Sequence, residues 1–208
     1  IKNIGMGCGS RAGKTEQHSN GIPTISSRRC VGCKRCQKEC ANGGLVFDAE
    51  TKKMTVDTEH CVGCSRCLGA CNFDAITFRN SNANAILNCK MAEYTKAVID
   101  GRPNFHISLV VDVSPNCDCH AENDIPIIPN VGMLASFDPV ALDQACADLC
   151  NQMTPVKESV LGENLEKHGH DEKQDHFHMT HPDTEWKSCI RHAVKIGLGT
   201  DQYELIQI

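Results

Sequence analysis

The chain has 208 residues, 40% hydrophobic and 4% aromatic, with 21 Lys and Arg against 26 Asp and Glu for a formal net charge of −5. That length can bury the core of one large domain or two small ones, and the acidic balance speaks against a nucleic-acid binder held by a general basic surface. No apolar run reaches the ~18 residues of a membrane span, and no charged-then-apolar leader precedes a small-residue cleavage site.

Residues 1–20 open on a glycine-rich run, Gly5-x-Gly7-x-Gly9, followed by Arg11, Gly13, Lys14 and Thr15. A phosphate loop demands glycine five positions before Gly13, where this chain carries Cys8, so that motif fails. A glycine turn bearing Arg11 and Lys14 still offers a place for an anion.

The cysteines come next and say most. Of 15 in the chain, eight fall into two copies of one spacing: Cys30, Cys33, Cys36 and Cys40, then Cys61, Cys64, Cys67 and Cys71, 31 residues later. At this cysteine frequency one such copy arises by chance with odds of roughly one in 200, and two on the order of one in 100,000, so chance is set aside. A [4Fe-4S] cube takes four thiolates; three within seven residues let one short loop wrap three corners, and in two-cluster proteins the fourth comes from the other motif. The expected ligand sets are therefore Cys30, Cys33, Cys36 and Cys71 for one cluster, and Cys61, Cys64, Cys67 and Cys40 for the other. Structural zinc is the rival, but zinc ribbons part their CxxC pairs by a longer spacer than this. Oxygen-labile clusters imply a reducing cytoplasm and an organism living with little oxygen.

Segments CVGCKRCQKECANGGLVF (30–47) and CVGCSRCLGACNFDAITF (61–78) resemble the two halves of a bacterial two-cluster ferredoxin, which implies a ferredoxin-like subdomain over residues 21–79. Its strands are expected at Ile22–Ser26, Leu45–Asp48, Met54–Asp57 and Ile76–Phe78. The family's proline after the fourth cysteine is Ala41 in one half and Asn72 in the other, which frees a backbone angle and removes no ligand. From Arg28 to Cys40 stand five cations (Arg28, Arg29, Lys34, Arg35, Lys38) and one acid, Glu39. Such a patch raises a nearby cluster's potential and offers a dock for an acidic redox partner protein; the plainer reading is a solvated face.

Beyond residue 80 the pattern changes. Ile86, Leu87, Met91, Tyr94 and Val98 share a face of a helix over 84–100 that Gly101 can close. The run HISLVVDV (106–113) reads as a strand buried on both faces, with a second at Val131–Ser136. Asp138-Pro139 caps a helix over 139–153, with Leu142, Ala145, Cys146, Leu149 and Met153 inward. A last helix spans 184–196, with Trp186 as a packing residue, and YELIQI (203–208) is expected to close as a strand. Alternating helices and strands give an α/β (or α+β) layered domain, formed by residues 1–20 and 80–208 with the ferredoxin-like segment embedded in it.

Cys117, Asp118, Cys119 and His120 follow the expected strand at the edge where open α/β sheets place ligands. With Cys8 they are candidates for a third metal site or a redox-active thiol pair. His168, His170, His176, His178 and His181, among Glu166, Asp171, Glu172 and Asp175, form a polar stretch able to hold a divalent metal or simply to be solvated. Cys89 and Cys189 read as buried spectators, and Cys146 as core.

Stretches 2–18, 90–101, 112–120, 131–146 and 197–206 resemble an uncharacterised prokaryotic iron-sulfur centre family, a domain of unknown function in which a two-cluster ferredoxin is embedded in a larger α/β domain. The resemblance implies further α/β sequence upstream of Ile1, which agrees with the missing initiator Met, and implies no reaction. The expected role is single-electron transfer through two [4Fe-4S] clusters to a site on the α/β domain or a partner. The alternatives are a redox enzyme with a centre around Cys117 and Cys119, or a scaffold that hands on a metal or cluster.

Overall fold

A segment that repeats after 31 residues has to fold the same way twice, and the computed structural model, which describes residues 1–18, 22–61, 63–64, 66–77, 83–117, 123–169 and 175–208, carries that repetition down to single hydrogen bonds. The chain is of mixed α/β class and divides into two units, residues 2–98 and residues 99–208 with Ile1.

The first unit contains α1 (Lys2–Gly5), α2 (Arg11–Gln17), β1 (Thr24–Ile25), α3 (Arg35–Lys38), β2 (Leu45–Asp48), β3 (Lys53–Val56), α4 (Arg66–Ala70), β4 (Ile76–Thr77) and most of α5 (Ala83–Ile99). Adding 31 to β1 lands on the end of β3; subtracting 31 from β4 lands on the start of β2. The pairings follow suit. Thr24 faces Thr77 and Ile25 faces Ile76, while Thr55 faces Val46 and Val56 faces Leu45, all antiparallel. Each strand that leads into a cysteine loop therefore pairs with the strand that leaves the other one. The loops match as well: Cys30 N–H donates to Ser26 O at 2.9 Å and Cys61 N–H to Asp57 O at 3.0 Å, while Cys40 and Cys71 each close a turn onto the residue three before at 3.2 Å. Gly32 and Gly63 both have positive φ, 68° and 69°, and so do Gly43 and Asp74 at 70° and 47°. The CVGC motif needs its glycine for that left-handed step.

Ser10 caps α2 by accepting from Gly13 N–H at 3.0 Å. Lys90 on α5 pairs with the Glu16 carboxylate at 2.9 Å and donates to the Glu16 carbonyl at 2.8 Å, tying α5 to α2. Met91, Ala92 and Thr95 are the buried positions of α5. The strand expected through Phe78 ends at Thr77; Phe78 lies outside the described residues.

The second unit is built from β5 (His106–Val110), β6 (Gly132–Ser136), α6 (Pro139–Gln152), α7 (Val160–His168), α8 (His176–Thr180) and α9 (Trp186–Lys195). Asp138 Oδ1 accepts from Val140 and Ala141 N–H at 2.8 and 3.0 Å and starts α6, with Pro139 set in the first turn where no N–H is missed. Helix α6 packs on both strands, and Val110, Ile127, Ile128, Cys150, Leu161 and Met179 form the core beneath.

Several expectations are corrected. The run 106–113 is not a doubly buried strand: β5 and β6 form a two-stranded antiparallel sheet covered by α6 on one face, so Ile107 and Leu109 point the other way and are 60% and 67% exposed. Every second side chain must leave the packed face, however apolar it is. The closing YELIQI is irregular and exposed, because nothing among the described residues lends it a strand partner. Cys89 and Cys189 are half-buried and not fully enclosed, and on α6 it is Cys150 that is buried while Cys146 is half-buried.

Candidate functional site

The crossed strand pairing decides which cysteines meet. One cavity is bordered by Cys30, Cys33 and Cys36 from the first loop and by Cys71 from the second; the other by Cys61, Cys64 and Cys67 with Cys40. Each leaves roughly 290 and 350 Å³ free of protein atoms, partly open to solvent. The fourth thiol in each cavity follows the short helix of the opposite repeat, brought across by β1–β4 and β2–β3. Helices α3 and α4 pack together, which sets Cys36 and Cys67 between the cavities, close enough to influence each other's charge. Cys36 and Cys67 are buried, Cys33 is exposed, and Cys40, Cys61, Cys64 and Cys71 are half-buried.

Burial pushes the Cys67 thiol up to about 11, reinforced by Cys36, Cys61 and Cys64. Cys36 is raised by burial too, partly relieved by the Gln37 backbone N–H and raised again by Cys30, Cys33 and Cys71. Four thiolates facing one apolar cavity repel, and a cationic centre that takes them as ligands reverses the penalty. The thiols ring a space; among the described residues no group of three or more His, Cys, Asp or Glu converges as a single metal ion requires.

The repeats are not identical in what covers the thiols. Around Cys30, Cys33, Cys36 and Cys71 the lining is apolar: Ile25, Val31, Met54, Phe73, Ala75 and Ile76. At the duplicate positions the second cavity has Pro23 for Met54, Asn42 for Phe73 and Gly44 for Ala75, with Arg66 as well. Met54 N–H donates to Cys30 Sγ at 3.4 Å, and Lys53 Nζ donates to Cys30 O at 2.5 Å. Pro23, at the same place relative to Cys61, has no N–H to give. Sequence reasoning passed over Met54 and Pro23, although the 31-residue offset aligns them.

The remaining candidates fall in separate units or outside the described residues. Cys8 is exposed and belongs to the first unit; Cys117 is half-buried in the second; Cys119 and His120 lie outside the described residues. Among the described residues β5 pairs only with β6, so no open α/β sheet edge is seen beside Cys117 there. His170, Asp171 and Glu172 also lie outside the described residues. From Asp175 onward the histidine stretch is tied into local contacts: Asp175 caps α8, and its carboxylate meets His178 Nδ1 at 2.9 Å, Trp186 Nε1 at 2.9 Å and Lys187 Nζ at 3.2 Å. His176 and His181 place ring nitrogens on the carbonyls of Met153 and Pro115 at 2.9 and 2.7 Å. No helix among the described residues is long and apolar enough to cross a membrane.

The model of one protein family, described as Domain of unknown function (DUF362), matches residues 1–148. No curated protein and no solved structure matches the chain.

Proposed function

The chain belongs to the DUF362 family, whose description carries no reaction, and on that premise we propose that its first unit is a ferredoxin-like electron-transfer module holding two [4Fe-4S] clusters. Cys30, Cys33, Cys36 and Cys71 would hold one cluster, and Cys61, Cys64, Cys67 and Cys40 the other. The observation that carries the reading is the pair of cavities, each ringed by three thiols of one loop and the fourth of its duplicate. Thiols set around a space suit a cube better than a single zinc ion, which draws four ligands to a point.

When bound, each cluster takes up and releases single electrons with little rearrangement. The chain's part is to position and to insulate. The CVGC loops present three thiols from one turn, and the crossed strands deliver the fourth. Ile25, Met54, Phe73 and Ile76 give the first site an apolar wall, of which Met54 and Ile76 are buried. Cys36 and Cys67, buried between the two sites, lie on the path an electron takes from one to the other. A donor or acceptor protein completes the relay, with the cytoplasm as the compartment that keeps these thiols reduced.

The test is metal and sulfide analysis with electron paramagnetic resonance on anaerobically prepared protein. About eight irons and eight acid-labile sulfides per chain are expected. Cys71→Ser should disturb the cluster of the first loop, and Cys40→Ser that of the second, each leaving the other signal in place. Stoichiometric zinc without sulfide, or a loss that stays within the mutated loop's own repeat, overturns the reading.

A further inference from the structure

We propose that the surface around Cys33 is a docking site for an acidic one-electron carrier protein, so that electrons enter or leave through the Cys30, Cys33, Cys36 and Cys71 site and not through its duplicate; this rests on the two-cluster reading above. The duplication supplies its own control. Arg28, Arg29, Lys34, Arg35 and Lys38 are all exposed around the first loop, and none is held in an ion pair among the described residues. Thirty-one residues on, the same positions are Glu59, His60, Ser65, Arg66 and Gly69. Building a cysteine loop therefore does not require the cations, and the second loop forms with one Arg and one Glu in their place.

Two further features single out the same face. Among the eight cysteines that border the cavities, Cys33 is the exposed one, and its duplicate Cys64 is half-buried. Val31 and Phe73, which line the same cavity, are 55% and 44% exposed, and Asn42 replaces Phe73 at the other cavity. An apolar contact beside an exposed thiol, rimmed by positive charge on a chain whose net charge is −5, suits a partner with an acidic rim around its own redox group. Arg29 is oriented by donating to Asp74 O at 3.2 Å, and Lys34 lies over the Phe47 ring at 3.8 Å, so part of the rim is preset. In the transfer the carrier loses one electron and is oxidised, the site gains it and is reduced, and no bond or proton moves.

The experiment uses the loaded protein, with iron and sulfide measured on the same preparation, and an acidic flavodoxin as probe. Binding is followed by calorimetry with both proteins oxidised, so that potentials do not enter, and transfer from fully reduced flavodoxin by stopped flow. Arg35→Glu/Lys38→Glu is compared with Lys157→Glu/Lys195→Glu, which makes the same change in net charge on exposed lysines of the second unit. Affinity and bimolecular rate should fall about tenfold or more in the first pair and by less than about twofold in the second, and the wild-type rate should fall steeply with added salt. Equal losses in both pairs, or binding indifferent to salt, overturn the docking surface while leaving the clusters in place. Wild-type protein without iron and sulfide overturns the two-cluster reading instead.

Discussion

Gly32 and Gly43 offer a matched pair of substitutions in which backbone conformation is held constant and only the neighbourhood changes. Both have φ near 70°. An alanine at either position takes on the left-handed penalty of about 1–2 kcal/mol, eased by a few tenths from the stiffer unfolded chain. At Gly43 that is the whole cost, since a Cβ there meets nothing within 4 Å. At Gly32 the Cβ would overlap the Lys52 carbonyl oxygen and come within 3.2 Å of the Phe47 ring. Lys52 sits at φ 54° in the β2–β3 turn, and Phe47 is paired with Met54, so neither can retreat without moving the strand that brings Met54 N–H to Cys30 Sγ. Overpacking of this kind costs a further ~1–3 kcal/mol. Gly32→Ala should therefore destabilise by about 2–5 kcal/mol and Gly43→Ala by about 1–2. Urea unfolding of anaerobic protein, followed by circular dichroism, measures the difference. Equal midpoints for the two variants would refute the argument that the first loop is pressed against the β2–β3 turn.

Three other outcomes can be stated briefly. Asp138→Ala should cost about 2 kcal/mol, since Asp138 both caps α6 and accepts from Thr200 N–H at 2.8 Å, and Asp138→Asn should recover most of it in a denaturant titration. Burial opposes ionisation of Asp175, but the backbone and ring N–H of His178, with Trp186 and Lys187, outweigh it and hold the carboxyl down to about 2. Its contribution is thus fully present above the unfolded value of 3.8 and is lost as pH falls toward 2; Asp175→Asn should lower stability at neutral pH by roughly 1–2 kcal/mol and flatten that acid limb, as read from the fluorescence of Trp186, the single tryptophan. In protein loaded with two clusters, Pro23→Ala supplies Cys61 with the N–H that Met54 gives Cys30, and a redox titration followed by paramagnetic resonance should show the second site's potential move up while the first stays put.

Much of the candidate site was legible because its signals are local. Three cysteines within seven residues, a glycine between the first two, and a second copy after 31 residues all arise within single loops, and the Asp138-Pro139 start of α6 is as short-ranged. Periodicity likewise located α5, α6 and α9 to within a few residues. The misjudged strands failed where the answer lay in a neighbour. HISLVVDV is apolar enough to be buried on both faces, yet what covers a strand is set by the elements beside it, and here α6 covers one face only. YELIQI has strand-like residues and no strand to pair with among the described residues.

The same division holds at the centre of the molecule. Cysteine spacing alone established that two four-thiol loops exist and that five cations crowd the first of them, because covalent order along the chain carries that information. The crossed grouping of thiols was already expected from the spacing; tertiary structure decided that Met54 reaches Cys30 where Pro23 offers Cys61 nothing, and that Cys33 stays exposed while Cys36 and Cys67 are enclosed. Those outcomes depend on backbone hydrogen bonds between strands about 50 residues apart in one sheet and about 10 apart in the other, and pairing at such distances is a property of the folded chain as a whole.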